Sequence, residues 1–69
     1  MKIEWIDGFR ISVRTENDVT VISANKEGLL SLAEILKRIA EEESGTHLHL
    51  DEHNSLEDGS KELIIEKHD

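Results

Sequence analysis

From Phe9 to Arg14 the chain alternates without a break, with Phe9, Ile11 and Val13 in one phase and Arg10, Ser12 and Arg14 in the other. Side chains two apart share one face of a strand, so residues 9–15 are predicted to form a strand with a single buried face. Residues 2–7 (Lys-Ile-Glu-Trp-Ile-Asp) read as a strand before it, and Asp7-Gly8 as the hairpin turn between them, because glycine accepts a positive φ. Glu16-Asn17-Asp18 reads as the next turn. Val19 to Ala24 follows as a third strand, with Val19, Val21 and Ser23 in phase.

The period then changes. Asn25 has the chemistry of a helix N-cap, its side-chain oxygen accepting a backbone N–H of the first turn. After it, Leu29, Leu32, Ala33, Leu36, Ile39 and Ala40 recur at helical spacing, and Leu30 and Ile35 widen the stripe. Glu34, Lys37, Arg38 and Glu41 occupy the opposite face, with Glu34 and Arg38 in the favourable i,i+4 order. Gly45 is a natural stop, so the helix is expected over residues 26–43, about 27 Å long at the usual rise.

Alternation returns at residues 46–51 (Thr-His-Leu-His-Leu-Asp) and at 61–67 (Lys-Glu-Leu-Ile-Ile-Glu-Lys). Between them runs a polar connection from Glu52 to Ser60, longer than an ordinary hairpin loop, with Leu56 as its anchor and Asp58-Gly59-Ser60 as its closing turn. The order β-β-β-α-β-β predicts an α+β, two-layer fold: a mostly antiparallel five-stranded sheet with one helix packed on one face. Residues 1–69 are expected to form one domain. A chain of this length is near the lower limit for unaided folding, and without cysteine it has no disulfide to help. A homodimer or a bound partner is therefore expected.

Charge changes the functional picture. Residues 1–40 carry six acids and six bases, whereas residues 41–69 carry ten acids against Lys61 and Lys67, which accounts for the whole net charge of −8. Phosphate contacts need clustered Lys and Arg, so nucleic-acid binding is disfavoured and a basic protein is the natural partner. Nothing resembles a signal peptide or a membrane span, so the cytosol is the expected location and no membrane partner is expected.

The most distinctive segment is Gly45-Thr-His-Leu-His-Leu-Asp-Glu-His-Asn54. As a strand it turns Leu48 and Leu50 toward the helix, and His47, His49 and Asp51 to the other side. A His-x-His pair on one face permits chelation of a transition metal, with His53 or Asp51 as a third ligand. The spacing is permissive rather than specific, since the thiolates or second His pair of a strong zinc site are absent. Acid–base catalysis needs an acid and a base converging on a pocket, and the chain carries no Gly-rich phosphate loop, nucleophile elbow, His-Glu-x-x-His motif or calcium loop. No enzyme and no cofactor are expected.

The Gly45–Lys67 segment, with its His-x-His-x-Asp followed by Ser-x-Glu-Leu-Ile-Ile, resembles the immunity protein 32 family of bacterial polymorphic toxin systems, as does Asn-Lys-Glu-Gly-Leu-Leu-Ser-Leu-Ala at 25–33. The resemblance covers residues 25–67 and reaches the first two strands by pattern alone. It implies a small non-catalytic α+β protein, encoded beside a toxin, that protects the producing cell by binding the toxin. The family's motif positions fall here on His47, His49, Asp51, Leu63 and Ile64. Many such toxins act on nucleic acid through a basic cleft, which an acidic protein could fill. The expected partner contacts are His47, His49 and Asp51 on the strand and Glu52, His53, Asn54, Glu57 and Asp58 in the loop. Two alternatives stand beside this reading: a small metal-binding module using His47, His49 and His53, and a homodimeric structural domain joined through open sheet faces or edges.

Overall fold

The computed structural model describes residues 1–69 and contains four strands and one helix: β1 (Ile11–Glu16), β2 (Val19–Ala24), α1 (Lys26–Ala40), β3 (His47–Leu50) and β4 (Leu63–Glu66). The strands form two separate antiparallel hairpins, β1–β2 and β3–β4, so the expected five-stranded sheet is not present. The α+β class stands; the single sheet does not.

Two features divide it. Residues 2–7 alternate like a strand, but their backbone groups go elsewhere. The Ile6 N–H donates to Ser31 Oγ (2.9 Å), and the Ile6 carbonyl accepts from the Phe9 N–H (3.1 Å) to close the turn at Gly8. Trp5 then stacks on Phe9 with ring centroids 4.5 Å apart. The second feature is the loop after β3, which lies along the outer edge of β1 where a neighbouring strand would have to pair. The Glu57 N–H donates to the Ile11 carbonyl and the Lys61 N–H to the Val13 carbonyl, both at 2.8 Å. Ser60 Oγ accepts from the Val13 N–H (3.2 Å). A loop thus joins the two hairpins.

The first hairpin turns through two residues. Asn17 and Asp18 both have positive φ (50° and 65°), as a type I′ turn requires, and Glu16 pairs with Val19. This register sets Ile11 opposite Ala24 and Val13 opposite Ile22. Ile22 and Ala24 therefore share the face of Val13 and Ile11, with Ile22 still 45% exposed, while Val19, Val21 and Ser23 lie on the other face with Ser12 and Arg14. A three-residue turn would have given the opposite phase, because one residue of slip inverts every side chain of a strand.

Asn25 caps α1 as expected and also anchors it. Its Oδ1 accepts from the N–H groups of Gly28 (2.8 Å) and Arg10 (3.0 Å), and its Nδ2 donates to the Gly8 carbonyl (2.9 Å). The buried helix face is Gly28, Ser31, Ile35 and Ile39, narrower than the apolar stripe of the sequence. Leu29 and Leu36 remain 55% and 51% exposed. Small residues occupy the N-terminal half of that face because the chain crosses close by: a Cβ on Gly28 would sit 2.6 Å from the Arg10 carbonyl oxygen. Ser31 is fully buried and satisfied, donating to the Glu27 carbonyl (2.8 Å) while it accepts from Ile6.

The helix ends at Ala40, short of residue 43. Glu41, Glu42 and Glu43 would place three negative charges at the negative end of the helix dipole, whereas Lys37 and Arg38 already complement it. Gly45 is used differently: at φ 87° its N–H donates to the Lys67 carbonyl (3.0 Å), carrying the β3–β4 pairing past the strand ends. Glu34 pairs with Lys37 (3.7 Å), and Arg38 reaches Glu4 (3.5 Å) instead of Glu34. Ile11, Val13, Leu50 and Leu56 form the central cluster, with Trp5, Phe9, Leu32, Leu48, Leu63 and Ile65 around it.

Candidate functional site

In β3 the leucines turn inward and the histidines outward: Leu50 is fully buried, Leu48 partly, and His47 and His49 are exposed. Pairing with β4 places Glu66 opposite His47 and Ile64 opposite His49, so all four lie on the outer face. Ile64 is 53% exposed there, although the equivalent phase of an ordinary half-buried hairpin is polar. The residues that alternation alone assigns to this face are His47 and His49. Ile64, Glu66 and the neighbouring Glu62 join them only through the pairing of residues 46–51 with 61–67.

The two imidazoles meet edge to face, with ring centroids 5.1 Å apart. His47 Nδ1 lies 3.2 Å from the Gly45 carbonyl oxygen, and His49 Nδ1 lies 3.0 Å from Glu62 Oε2. Both partners are acceptors, so each Nδ1 serves as the donor in its contact. No group of three His, Asp or Glu side chains is arranged to hold a metal ion. His53 does not join the pair; its side chain is 87% exposed and lies 4.0 Å from Glu52.

Much of the loop's polar chemistry is spent on its own shape. Asp51 Oδ1 accepts from the His53 N–H (2.9 Å), and Asn54 Oδ1 accepts from the Asp51 N–H (3.0 Å) and the Ser55 hydroxyl (2.6 Å). Asn54 Nδ2 donates to the His49 carbonyl (3.0 Å), and the Asp51 carbonyl accepts from the N–H groups of Asn54, Ser55 and Leu56. Glu52 Oε2 accepts from the Gly59 N–H (2.8 Å). Leu56 is buried in the central cluster, as an anchor should be. Asp51, Glu52 and Asn54 therefore build the loop, while His53 and Asp58 stand on it exposed.

Glu57 is held by Arg10, whose Nε donates to Glu57 Oε1 at 2.7 Å. That hydrogen bond, together with the charge of the carboxylate, raises the Arg10 pKa above the ordinary arginine value. The pair lines a shallow open groove with Ser12, Ser23 and Asn25. Lys67 Nζ donates to the Glu42 carbonyl (2.7 Å), fixing the acidic helix end against the end of β4. The acids of residues 41–69 thus spread over the helix end, the β3–β4 hairpin and the loop. No helix is long and apolar enough to cross a membrane.

No curated protein and no solved structure matches the chain. The family model described as Immunity protein 32 matches residues 19–68, which takes in β2, α1, both strands of the second hairpin and the loop between them. Residues 1–18, which hold the Trp5–Phe9 stack and β1, lie outside the match. The chain belongs to the immunity protein 32 family.

Proposed function

We propose that this protein neutralises a cognate bacterial toxin by direct binding, without catalysis, in the cytosol of the cell that makes both. The observation that carries this reading is the character of the β3–β4 outer face and the loop beside it. His47, His49, Ile64 and Glu66 form an exposed mixed face on the half of the chain that holds all the net negative charge. An exposed isoleucine beside two imidazoles, with the carboxylates of Glu62 and Glu66 flanking them, suits a surface rich in Arg and Lys. A basic cleft that grips phosphate has that composition, which favours a toxin acting on nucleic acid as the partner. His47, His49, Asp58 and His53 are proposed to touch the toxin, and Asp51, Glu52, Asn54 and Glu57 to hold the loop that presents them. The acidic surface should mainly raise the association rate, with the closer charge pairs slowing dissociation.

The test is co-expression with the toxin domain encoded beside this chain, followed by affinity measurement over a salt series. A stable complex whose association slows as salt rises supports the reading. Failure to capture that toxin overturns it, and salt-insensitive capture overturns the electrostatic part alone.

A further inference from the structure

The two edges of the first hairpin are treated differently. In an antiparallel ladder, successive residues direct their backbone groups alternately to the partner strand and away from it. In β1 the outward groups belong to Ile11 and Val13, and the loop meets them: the Ile11 and Val13 carbonyls accept from the Glu57 and Lys61 N–H groups, and the Val13 N–H donates to Ser60. Across the ladder, Ala24 opposes Ile11, Ile22 opposes Val13 and Thr20 opposes Thr15, so the outward groups of β2 belong to Thr20, Ile22 and Ala24. No group of the chain bonds to them. Natural edge strands are usually blunted by charge, proline or a bulge. Val-Thr-Val-Ile-Ser-Ala has no charge and no proline, its register with β1 is unbroken, and Val19 and Ile22 are 59% and 45% exposed.

We propose that β2 pairs antiparallel with β2 of a second copy, giving a symmetric dimer with a continuous strand order β1-β2-β2-β1. The occupant follows from charge and register. A chain of net charge −8 repels itself, but residues 1–40, which contain β2, are balanced at six acids and six bases. The acids that would oppose self-association lie in residues 41–69. An antiparallel pairing of two identical edges is centred on an outward residue, and Ile22 gives the longest overlap, opposing residues 20–24 of the two copies. Thr20 then opposes Ala24 of the other copy, Ile22 meets its own copy across the two-fold axis, and Asp18 approaches Lys26 at both ends. The surface is self-complementary, as an isologous contact requires. The dimer does not depend on the toxin reading, because it uses neither the β3–β4 face nor the loop.

The full chain has no cysteine, so Ile22→Cys introduces a unique thiol on the proposed axis and Ile64→Cys one on a distant face. Sedimentation equilibrium should give the mass of two chains at high concentration, dissociating on dilution. Ile22→Lys, which sets like charges opposite each other, should weaken self-association at least about tenfold while circular dichroism stays unchanged. Thr20→Lys serves as the second variant should Ile22→Lys disturb the fold. Mild oxidation should link Ile22→Cys into a covalent dimer far more completely than Ile64→Cys. A monomer at every concentration overturns the proposal, as does a dimer that persists in folded β2 lysine variants. If the chain is monomeric alone and the lysine variants lose toxin capture, the edge serves a strand of the toxin and the dimer is excluded.

Discussion

Arg10 and Glu57, separated by 47 residues, form an ion pair of 2.7 Å that joins the entrance of β1 to the middle of the loop. Both side chains are well exposed, and exposed pairs of this kind contribute little to stability. The loop's path rests on the backbone bonds beside the pair. Arg10→Ala should therefore leave the melting temperature almost unchanged. A large drop would show that the ion pair, and not the backbone bonds, holds the loop.

The same pair makes a prediction about pH. Glu57 raises the Arg10 pKa, so whatever stability it contributes is fully present below the unfolded-state value and is lost only as pH rises through the folded one. Both lie far above neutrality. Wild type and Arg10→Ala should consequently show parallel melting temperatures from neutral to moderately alkaline pH. A difference between them that collapses near neutral pH would contradict this.

Gly28 gives a sharper test. Alanine normally stabilises a helix interior by about 1 kcal/mol relative to glycine. Here its Cβ would lie 2.6 Å from the Arg10 carbonyl oxygen and 2.9 Å from Ile11 Cγ1. The first of these is backbone and cannot turn aside, so overpacking should win. Gly28→Ala is expected to destabilise by about 1–3 kcal/mol in chemical denaturation. A stabilised variant would place the helix farther from the 6–11 segment than described.

Asn25 combines a cap with two tertiary bonds, using both its oxygen and its amide nitrogen. Asn25→Ala should cost about 2–3 kcal/mol, more than a cap alone, because the Arg10 N–H and the Gly8 carbonyl also lose their partner. Asn25→Asp keeps the acceptor and loses the donor, so its stability should fall between. Equal stability of the Asp variant and wild type would make the bond to Gly8 negligible.

For toxin recognition the structure separates residues that the sequence left together. Asp58 and His53 are exposed and make few bonds within the chain, whereas Asn54 makes several. The double variant His53→Ala with Asp58→Ala should weaken toxin binding at unchanged melting temperature. Asn54→Ala should lower the melting temperature by itself. Unchanged affinity in the double variant would remove the loop from the interface and leave the β3–β4 face to carry it.

The elements that could be read from the sequence were those whose cause is local. The cap at Asn25 and the outward histidines beside inward leucines follow from side-chain chemistry within a few residues. Residues 2–7 misled because alternation shows that a segment can be a strand, not that a partner strand is in reach; Ser31 takes the Ile6 N–H instead. The phase of β2 turned on whether Glu16 belongs to the turn or to the ladder, a difference of one residue. Leu29 and Leu36 fitted the helical stripe, but what covers a helix depends on where the rest of the chain crosses it. At the site, Ile64 and Glu66 reach the histidines only through a long-range pairing, and Glu57 is committed to Arg10 across 47 residues.

The loop rests on β1 through the amides of Glu57 and Lys61, and every residue except proline has an amide to offer. Its course is thus largely independent of which side chains it carries at exposed positions such as His53 and Asp58. Those side chains can therefore change without altering the loop's course, so under the toxin-binding reading proposed above specificity could shift while the scaffold stays as it is.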